Sequence, residues 1–312
     1  MASRRPTFAQ ELNLVDLIVQ FGSEDKCRTY LEQLRWPEGV RCTRCGSDKI
    51  SRIKARAQFD CDSCRYQFSV TAGTIFHDSH LPLWKWFLAV YVMGESKKGI
   101  SANQMKRMLG VSYKTAWYLC HRIRAAMIEV DPEPLTGIIE ADETYHGNPP
   151  MRFGRRIPGR GGVGYGSNKT AIIGAVERGG RVRLKVSDRV NRKALHEFLK
   201  SVMADEAEAI YTDDYQPYIG IADPNTRHET VNHGRKEWVQ GDVHTQTMED
   251  VWSLFKRSVI GSYHHLSVKH LQAYLDELAF RYNNRENAYL FRDTLLTMVG
   301  ADSMKYAELI AV

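Results

Sequence analysis

The chain has 312 residues, of which 43% are hydrophobic, so it is long and apolar enough for two or more folded domains and is not globally disordered. No apolar run reaches the ~18 residues that a membrane-spanning helix needs, and no secretory signal is recognisable, which predicts a cytoplasmic protein without membrane segments. The net charge of +6 is uneven, because residues 1–130 hold 20 Lys and Arg against 12 Asp and Glu. A basic front and a slightly acidic remainder favour polyanion binding ahead of a metal-binding domain.

The chain begins with a helical pattern. Apolar residues recur at helical spacing through residues 8–35, and Trp36-Pro37-Glu38-Gly39 ends that pattern. Residues 1–39 are therefore predicted to be an N-terminal helical segment.

Two C-x-x-C pairs follow, separated by fifteen residues, and their members are Cys42, Cys45, Cys61 and Cys64. Each pair forms a turn that directs two sulfurs at one metal, and without a secretory signal such pairs favour zinc over disulfides. Four thiolates leave no open coordination position. Residues 40–70 are therefore predicted to be a zinc ribbon with a structural Zn²⁺.

Residues 71–130 are predicted to be a helical DNA-binding region. A strongly apolar helix at Leu83–Met93 precedes two further helices, Ser101–Leu109 and Tyr113–Met127, joined by Gly110-Val111-Ser112. This is the order of a helix-turn-helix, whose second helix lies in the major groove. The side chains expected to face outward and contact DNA are Lys114, Arg122 and Arg124. An αα-hairpin with a packing role only is the alternative.

A second pattern begins after Asp131-Pro132-Glu133-Pro134, where two prolines in four residues mark a domain boundary. Strands and helices then alternate, which favours an α/β domain with layers and a mixed sheet over residues 131–298, followed by a C-terminal tail at 299–312. The predicted strands are Ile138–Tyr145, Ala171–Glu177, Val182–Val186 and Glu208–Thr212. The predicted helices are Asn191–Met203, Thr247–Val259 and Ser267–Tyr282.

The segment 148–169 is glycine-rich and basic and does not fit a compact core. One interpretation is a solvated insertion. The other is a loop that becomes ordered on DNA phosphates, with Arg155 and Arg156 among the contacts.

Three acidic residues stand out by their positions in the predicted elements. Asp142 and Asp213 lie at the ends of apolar strands, and Glu249 lies in the first turn of an amphipathic helix. A charged strand end is costly without a partner, and no Lys or Arg adjoins either aspartate in sequence, so a divalent cation is the expected partner. Each acid by itself could be a cap, an ion-pair member or a solvated group. Together they predict a two-metal site for Mg²⁺ or Mn²⁺ that cleaves phosphodiesters.

Several longer stretches resemble bacterial insertion-sequence transposases of the ISXO-like group. They are Glu140–Tyr145, Thr212–Tyr215, His244–Arg257, Gly261–Ser267 and Phe280–Asn283. The resemblance covers nearly the whole chain and implies a zinc ribbon fused to an RNase H-like catalytic domain of the Asp-Asp-Glu type. It also implies that Asp142, Asp213 and Glu249 are the metal ligands.

Two neighbours of Glu249 bear on this site. The family usually has Asn three residues before the acid, whereas this chain has Gln246, whose amide has a longer reach and could orient a ligand. Lys256 lies two helical turns after Glu249, where it either holds a DNA phosphate near the metals or is simply solvated.

The sequence therefore predicts a DNA transposase that binds element terminal repeats, cleaves DNA and joins the 3′-hydroxyl ends to target DNA. Its expected partners are double-stranded DNA, as terminal inverted repeats and as target, and further copies of the chain in a homodimer or larger homo-oligomer. A nuclease that only cleaves, and a DNA-binding regulator with an inactive site, are the alternatives.

Overall fold

A computed structural model of the chain describes residues 12–147, 151–152, 155–156, 169–222, 226–232 and 239–311. The chain divides into two compact units, Met1–Ile128 with Glu286–Val312, and Glu129–Arg285. No helix within these described residues is both long and apolar enough to span a bilayer. Helices and strands are numbered along the chain.

The first unit combines helices with a small antiparallel sheet. Its sheet has the order β1 (Ile50–Ile53), β2 (Gln58–Cys61), β3 (Gln67–Phe68). Its helices are α1 (Leu14–Phe21), α2 (Glu24–Arg35), α3 (Leu83–Glu95), α4 (Ala102–Leu109), α5 (Tyr113–Ala126), α9 (Leu290–Gly300) and α10 (Tyr306–Ile310).

The predicted N-terminal helix is two helices in the structure. The break falls at Gly22-Ser23, where the Ser23 hydroxyl accepts from the backbone N–H of Lys26 and caps α2. A serine that satisfies the free N–H groups of a new helix stabilises a start at that point. Asn13 caps α1 in the same way, and residues 8–11 of the predicted helix lie outside the described residues.

The end of α2 packs on the zinc-ribbon sheet. Trp36 lies against the rings of Phe59 and Phe68, with centroids 5.5 and 5.9 Å away, and Arg52 pairs with Glu32 at 2.6 Å. The boundary expected at residue 39 therefore does not separate two structural pieces.

The predicted pair of helices and its turn are present as α4 and α5. Gly110 has the left-handed φ of 61° that glycine adopts without strain, and Ser112 caps α5. Whether this pair binds DNA stays a prediction.

The expectation that Arg122 and Arg124 face outward is wrong. The two side chains are 3% and 2% exposed, whereas Lys114 is exposed. Arg122 donates to the carbonyl oxygens of Ile75 and, at 2.7 Å, His77, and its guanidinium lies over the Trp86 ring. The C-terminal half of α5 is buried because α3 and α9 pack against it, which the spacing of its own residues does not reveal.

The C-terminal segment also differs from the prediction. Residues 286–298, expected to complete the catalytic domain, belong to the first unit, where α9 packs on α2 and α3. The expected tail contains α10, and Tyr118 donates to the Met304 carbonyl near it. The second unit of the structure therefore ends at Arg285 and not at residue 298. The contacts that place a segment in one unit or the other are between distant residues, so the local sequence does not mark this division.

The second unit is an α/β domain with a five-stranded sheet of order β10-β9-β4-β7-β8. Strands β4, β7 and β8 are antiparallel neighbours, while β9 and β10 run parallel to β4. The strands are β4 (Ile138–His146), β7 (Thr170–Glu177), β8 (Val182–Ser187), β9 (Ala209–Asp213) and β10 (Arg227–Val231). This mixed order is the sheet of RNase H-like domains, so the predicted fold class is confirmed.

Helices cover both faces of this sheet. They are α6 (Arg192–Val202), α7 (Gln246–Ser258) and α8 (Leu271–Asn283). On one face Leu195 and Phe198 of α6 pack against Ile173, and on the other Met248 and Trp252 of α7 pack against Ile172. Adjacent strand residues therefore serve opposite cores, as the alternation of a β-strand requires. Asn191 caps α6, since its side chain accepts from the N–H of Ala194.

The basic segment 148–169 lies largely outside the described residues. Its described parts are two short paired strands, β5 (Met151–Arg152) and β6 (Arg155–Arg156).

The burial of Arg122 predicts that Arg122→Ala acts on stability. The substitution leaves the carbonyls of Ile75 and His77 without this donor and empties a packed volume beside Trp86, so we expect a loss of about 2–4 kcal/mol. Thermal or denaturant unfolding of the full chain measures it. Arg107→Ala, at an exposed position on α4, is the control and should stay within about 0.5 kcal/mol of wild type. An unchanged unfolding midpoint for Arg122→Ala would contradict this assignment.

Candidate catalytic and zinc sites

The four cysteines of the C-x-x-C pairs converge in the first unit. Their sulfur atoms all lie within 4.8 Å of one another, with Cys42 and Cys64, and Cys45 and Cys61, 3.6 Å apart. Within the described part of the chain, this is the one group of metal-ligating side chains that is so compact. Two turns supply the pairs, and the pairing of β1 with β2 brings the turns together. Four thiolates at this spacing fit a tetrahedral, closed Zn²⁺ site.

The surroundings of Cys42 favour its thiolate. Desolvation acts to raise its pKa, but hydrogen bonds from the backbone N–H groups of Cys45 and Arg44 outweigh that effect and lower it to about 6. A thiol must lose its proton to bind zinc, so backbone donors at this position prepare the ligand.

Asp142 lies in the middle of the sheet. Its strand, β4, is the central one, and the indole Nε1 of Trp252 on α7 donates to its Oδ2 at 3.0 Å. Burial, with the charges of Asp213 and Glu249, raises the pKa of Asp142 to about 7. The three acids expected at the site are thus close enough to interact electrostatically, although their oxygens do not form a group as compact as the cysteines.

Strand alternation puts Asp213 on the same face as Asp142. Ala209 and Tyr211 pack with Ile138 on one face of the sheet, and Asp213 continues the same alternate series at the end of β9. Asp214 follows the strand and is exposed. The backbone N–H of Tyr215 donates to Asp213 Oδ1 at 3.1 Å, which fixes the carboxylate in the turn after the strand.

Glu249 lies in the first turn of α7, one residue after the buried Met248, and is exposed. Two neighbours on the same helix are also exposed, Gln246 at its first position and Lys256 in its last turn. Lys114 is exposed in the first unit, and the side chains of Arg155 and Arg156 lie outside the described residues.

A fourth acid, Glu143, faces the opposite side of β4. It accepts a hydrogen bond from Tyr218 Oη at 3.0 Å, and burial, with the charges of Asp142 and Asp213, raises its pKa to about 8. The sequence pattern did not separate it from a solvated acid, because the tyrosine that covers it comes from 75 positions later in the chain.

Glu140 is the acid that sequence reasoning underestimated. It is fully buried and accepts from the backbone N–H groups of Thr247 and Met248 at 2.7 and 3.1 Å. The Nε of Arg178 pairs with it at 2.7 Å. The sequence did show a charged residue in an otherwise apolar strand, which indicates a buried acid. It did not show the partners of Glu140, because they lie far away along the chain.

Transposase family models match both parts of the chain. The model of the transposase zinc-ribbon domain matches residues 22–67, and that of the ISXO2-like transposase domain matches residues 134–283. A protein of Halobacterium salinarum, described as an uncharacterized protein in transposable element ISH50, is 31% identical over 253 residues, which are 77% of this chain and 84% of that protein. The chain belongs to the ISXO2-like family of insertion-sequence transposases.

Two solved structures are more distant. The Mos1 strand transfer complex is 12% identical, covers 69% of this chain and 75% of that chain, and has a TM-score of 0.29. A simian T-cell lymphotropic virus intasome is 12% identical, covers 68% and 71%, and has a TM-score of 0.27. The assignment of the fold therefore rests on the strand order.

The cysteine cluster predicts one tightly held zinc per chain. Cys42→Ser removes a ligand from the closed site, and we expect loss of the metal together with unfolding of residues 40–70, because zinc binding supplies folding free energy to so small a sheet. Elemental analysis and limited proteolysis check this. Cys120→Ser, at a buried cysteine outside the cluster, is the control and should retain zinc. Stoichiometric zinc in a variant with all four ligands replaced would refute the site.

The raised pKa values predict how stability depends on pH. Asp142 and Glu143 hold their protons up to about pH 7 and 8 in the folded protein, against 3.8 and 4.5 as ordinary values. Between the ordinary and the raised pKa values, from about pH 4 to about pH 8, the folded state therefore binds more protons than the unfolded chain. The free energy of unfolding then falls as the pH rises through this interval. Zinc-loaded protein without added Mg²⁺ or Mn²⁺ should have a lower unfolding temperature at the upper end of the interval.

The comparison variant is Asp142→Asn, which cannot lose a proton. It should unfold at a higher temperature than wild type at the upper end of the interval, with a difference that shrinks toward the lower end. Asp250→Asn, at an exposed position on α7, should keep the wild-type slope. Equal slopes in all three proteins would show that Asp142 titrates like an ordinary carboxyl.

Proposed function

We propose that this transposase cleaves DNA at the ends of its element and joins the freed ends to target DNA. The observation that carries the proposal is the placement of the three acids. Asp142 and Asp213 lie on one face of the paired strands β4 and β9, and the Trp252 indole of α7, the helix that carries Glu249, donates to Asp142. Three carboxylates from three elements beside one face of the sheet are hard oxygen ligands, the kind that Mg²⁺ and Mn²⁺ prefer.

The cost of ionising Asp142 also favours a bound cation. Burial and mutual repulsion make the ionised form of Asp142 costly, and a cation in contact with the carboxylates offsets that cost. When bound, a pair of divalent ions supplies Lewis acidity for in-line displacement at phosphorus. Asp142, Asp213 and Glu249 would hold the ions, and Trp252 would orient Asp142 through its hydrogen bond.

The reaction has two steps of the same type. In the first, water attacks the phosphorus at the element end, the bond from phosphorus to the 3′ oxygen breaks, and the products are a 3′-hydroxyl and a 5′-phosphate. In the second, that 3′-hydroxyl loses its proton and attacks a target phosphodiester, whose own 3′ oxygen leaves. No covalent bond to a protein side chain is needed, so carboxylates suffice.

We propose that the first unit binds the terminal repeats. Lys114 is exposed in the first turn of α5, and the N-terminal residues of a recognition helix are those that reach base edges. Lys106 and Arg107, exposed on α4, are proposed as further contacts to the DNA backbone. Arg155, Arg156 and Lys256 are proposed as phosphate contacts of the second unit, and pairing of two element ends would require a homodimer or larger assembly.

The three acids provide the decisive test. Asp142→Asn, Asp213→Asn and Glu249→Gln should each lower cleavage and strand transfer about a thousandfold or more, since metal ions supply several kcal/mol and each 1.36 kcal/mol is tenfold. Binding of terminal-repeat duplexes should stay within about twofold of wild type, because we place it in the first unit. Gel assays with labelled element ends separate cleaved DNA from strand-transfer products.

The controls are Asp214→Asn and Asp250→Asn, both at exposed positions beside the proposed ligands. Glu140 and Glu143 are unsuitable as controls, because Glu140 is buried, Glu143 is half-buried and both accept hydrogen bonds from other parts of the chain. Robust activity of Glu249→Gln with Mg²⁺ would overturn the assignment. Cleavage without strand-transfer products would reduce the function to that of a nuclease.

A further inference from the structure

The N-terminus of α7 is capped from another part of the chain. Its local cap position is Thr245, whose side chain makes no capping hydrogen bond. Instead the carboxylate of Glu140, 107 and 108 positions earlier, accepts from the backbone N–H groups of Thr247 and Met248. Helices α1, α2, α4, α5 and α6 carry a local Asn or Ser cap. The start of α7 is therefore attached to β4 and not only to its own preceding loop.

The other oxygen of Glu140 extends this attachment. Its Oε1 accepts from the Thr247 hydroxyl at 2.9 Å and from Arg178 Nε at 2.7 Å, and His244 Nδ1 lies 3.3 Å away. Both oxygens of this fully buried carboxylate therefore accept hydrogen bonds. A buried carboxylate needs such donors to offset its loss of hydration.

Arg178 fixes the approach to the helix. Its Nη1 donates to the carbonyl of Asp242 at 2.8 Å and its Nη2 to that of His244 at 3.1 Å, while its own backbone N–H donates to Ile138 in β4. Arg178 thus joins the backbone of β4 through its own N–H, and its guanidinium joins the carboxylate of Glu140 to the loop that enters α7.

Glu140 and Asp142 share one face of β4, since they are two positions apart on a strand. Both contact α7, Glu140 at residues 247–248 and Asp142 through Trp252, and Glu249 lies between these two contacts in sequence. We propose that Glu140, with Arg178, is a positioning residue that sets Glu249 against Asp142 for metal binding. The inference rests on the proposed function, in which those acids hold the cations.

The experiment measures Mn²⁺ affinity of zinc-loaded full-length protein by calorimetry, at a temperature well below unfolding. Glu140→Gln keeps the shape but puts an amide N–H₂ where donors already converge, so we expect Mn²⁺ to bind about 10–100-fold more weakly, as for other supports of metal ligands. Hydrogen exchange of peptides over 244–252 should accelerate in the same variant, because the amide has one accepting oxygen and cannot accept both from the N–H groups of Thr247 and Met248 and from Arg178.

Two variants separate positioning from lost stability. Leu199→Ala opens the core on the opposite face of the sheet and should lower the unfolding temperature without changing Mn²⁺ affinity. Thr247→Val removes a single hydrogen bond to Glu140 and should weaken Mn²⁺ binding about threefold with the fold retained, so it carries the test if Glu140→Gln does not fold.

The outcomes distinguish this inference from the proposed function. If Asp142→Asn, Asp213→Asn and Glu249→Gln weaken Mn²⁺ binding while the variant of Glu140 that folds binds within twofold of wild type, the positioning role is refuted and the metal site stands. If none of the three ligand variants weakens binding, the proposed function itself fails. Weakened affinity in Leu199→Ala equal to that in Glu140→Gln would assign Glu140 a role in stability alone.

Discussion

The close approach of α7 to the sheet is the constraint on which the candidate site depends. Gly174 on β7 pairs with Asp142 on β4, and a Cβ at that glycine would come within 2.6 Å of Met248 and 2.8 Å of Trp252. The absence of a side chain therefore lets α7 lie directly on the strands, so that the Trp252 indole reaches the Asp142 carboxylate. A larger residue would push the helix away, and the acid on the helix with it.

The same packing explains where charge is tolerated. Met248 and Trp252 enclose one face of β4 in an apolar core, so acids on that face must be either paired or costly to ionise. Glu140 is paired, with Arg178 and backbone donors around it. Asp142 accepts from the Trp252 indole and from the backbone N–H of Glu143, but burial and the charges of Asp213 and Glu249 outweigh these donors and raise its pKa. An ion-paired acid next to one with a raised pKa is the contrast expected between a supporting residue and a metal ligand.

The zinc-ribbon sheet of the first unit is too small to be stabilised by an apolar core alone. The sheet has few buried residues of its own, and they are mostly the aromatic rings and cysteines of the ribbon. The packing of Trp36 adds to this small core, and zinc ligation by the four cysteines would stabilise it further. With Arg122 and Arg124 buried, the exposed basic residues of α4 and α5 are Lys106, Arg107 and Lys114. Basic residues in a helix are thus no guide to a DNA-binding face until the packing of that helix is known.

The sequence by itself determined the features that depend on neighbours along the chain. The spacing of the cysteines, the turn at Gly110-Val111-Ser112, and the apolar strands from Ile138 onward are local, so they predicted the ribbon, the helix pair and the α/β domain. Only the tertiary structure decided that residues 286–298 join the first unit, that Arg122 is buried, and that Glu140 caps a helix 107 positions away. These depend on contacts between distant segments, and residue periodicity shows that a face is buried without showing what covers it.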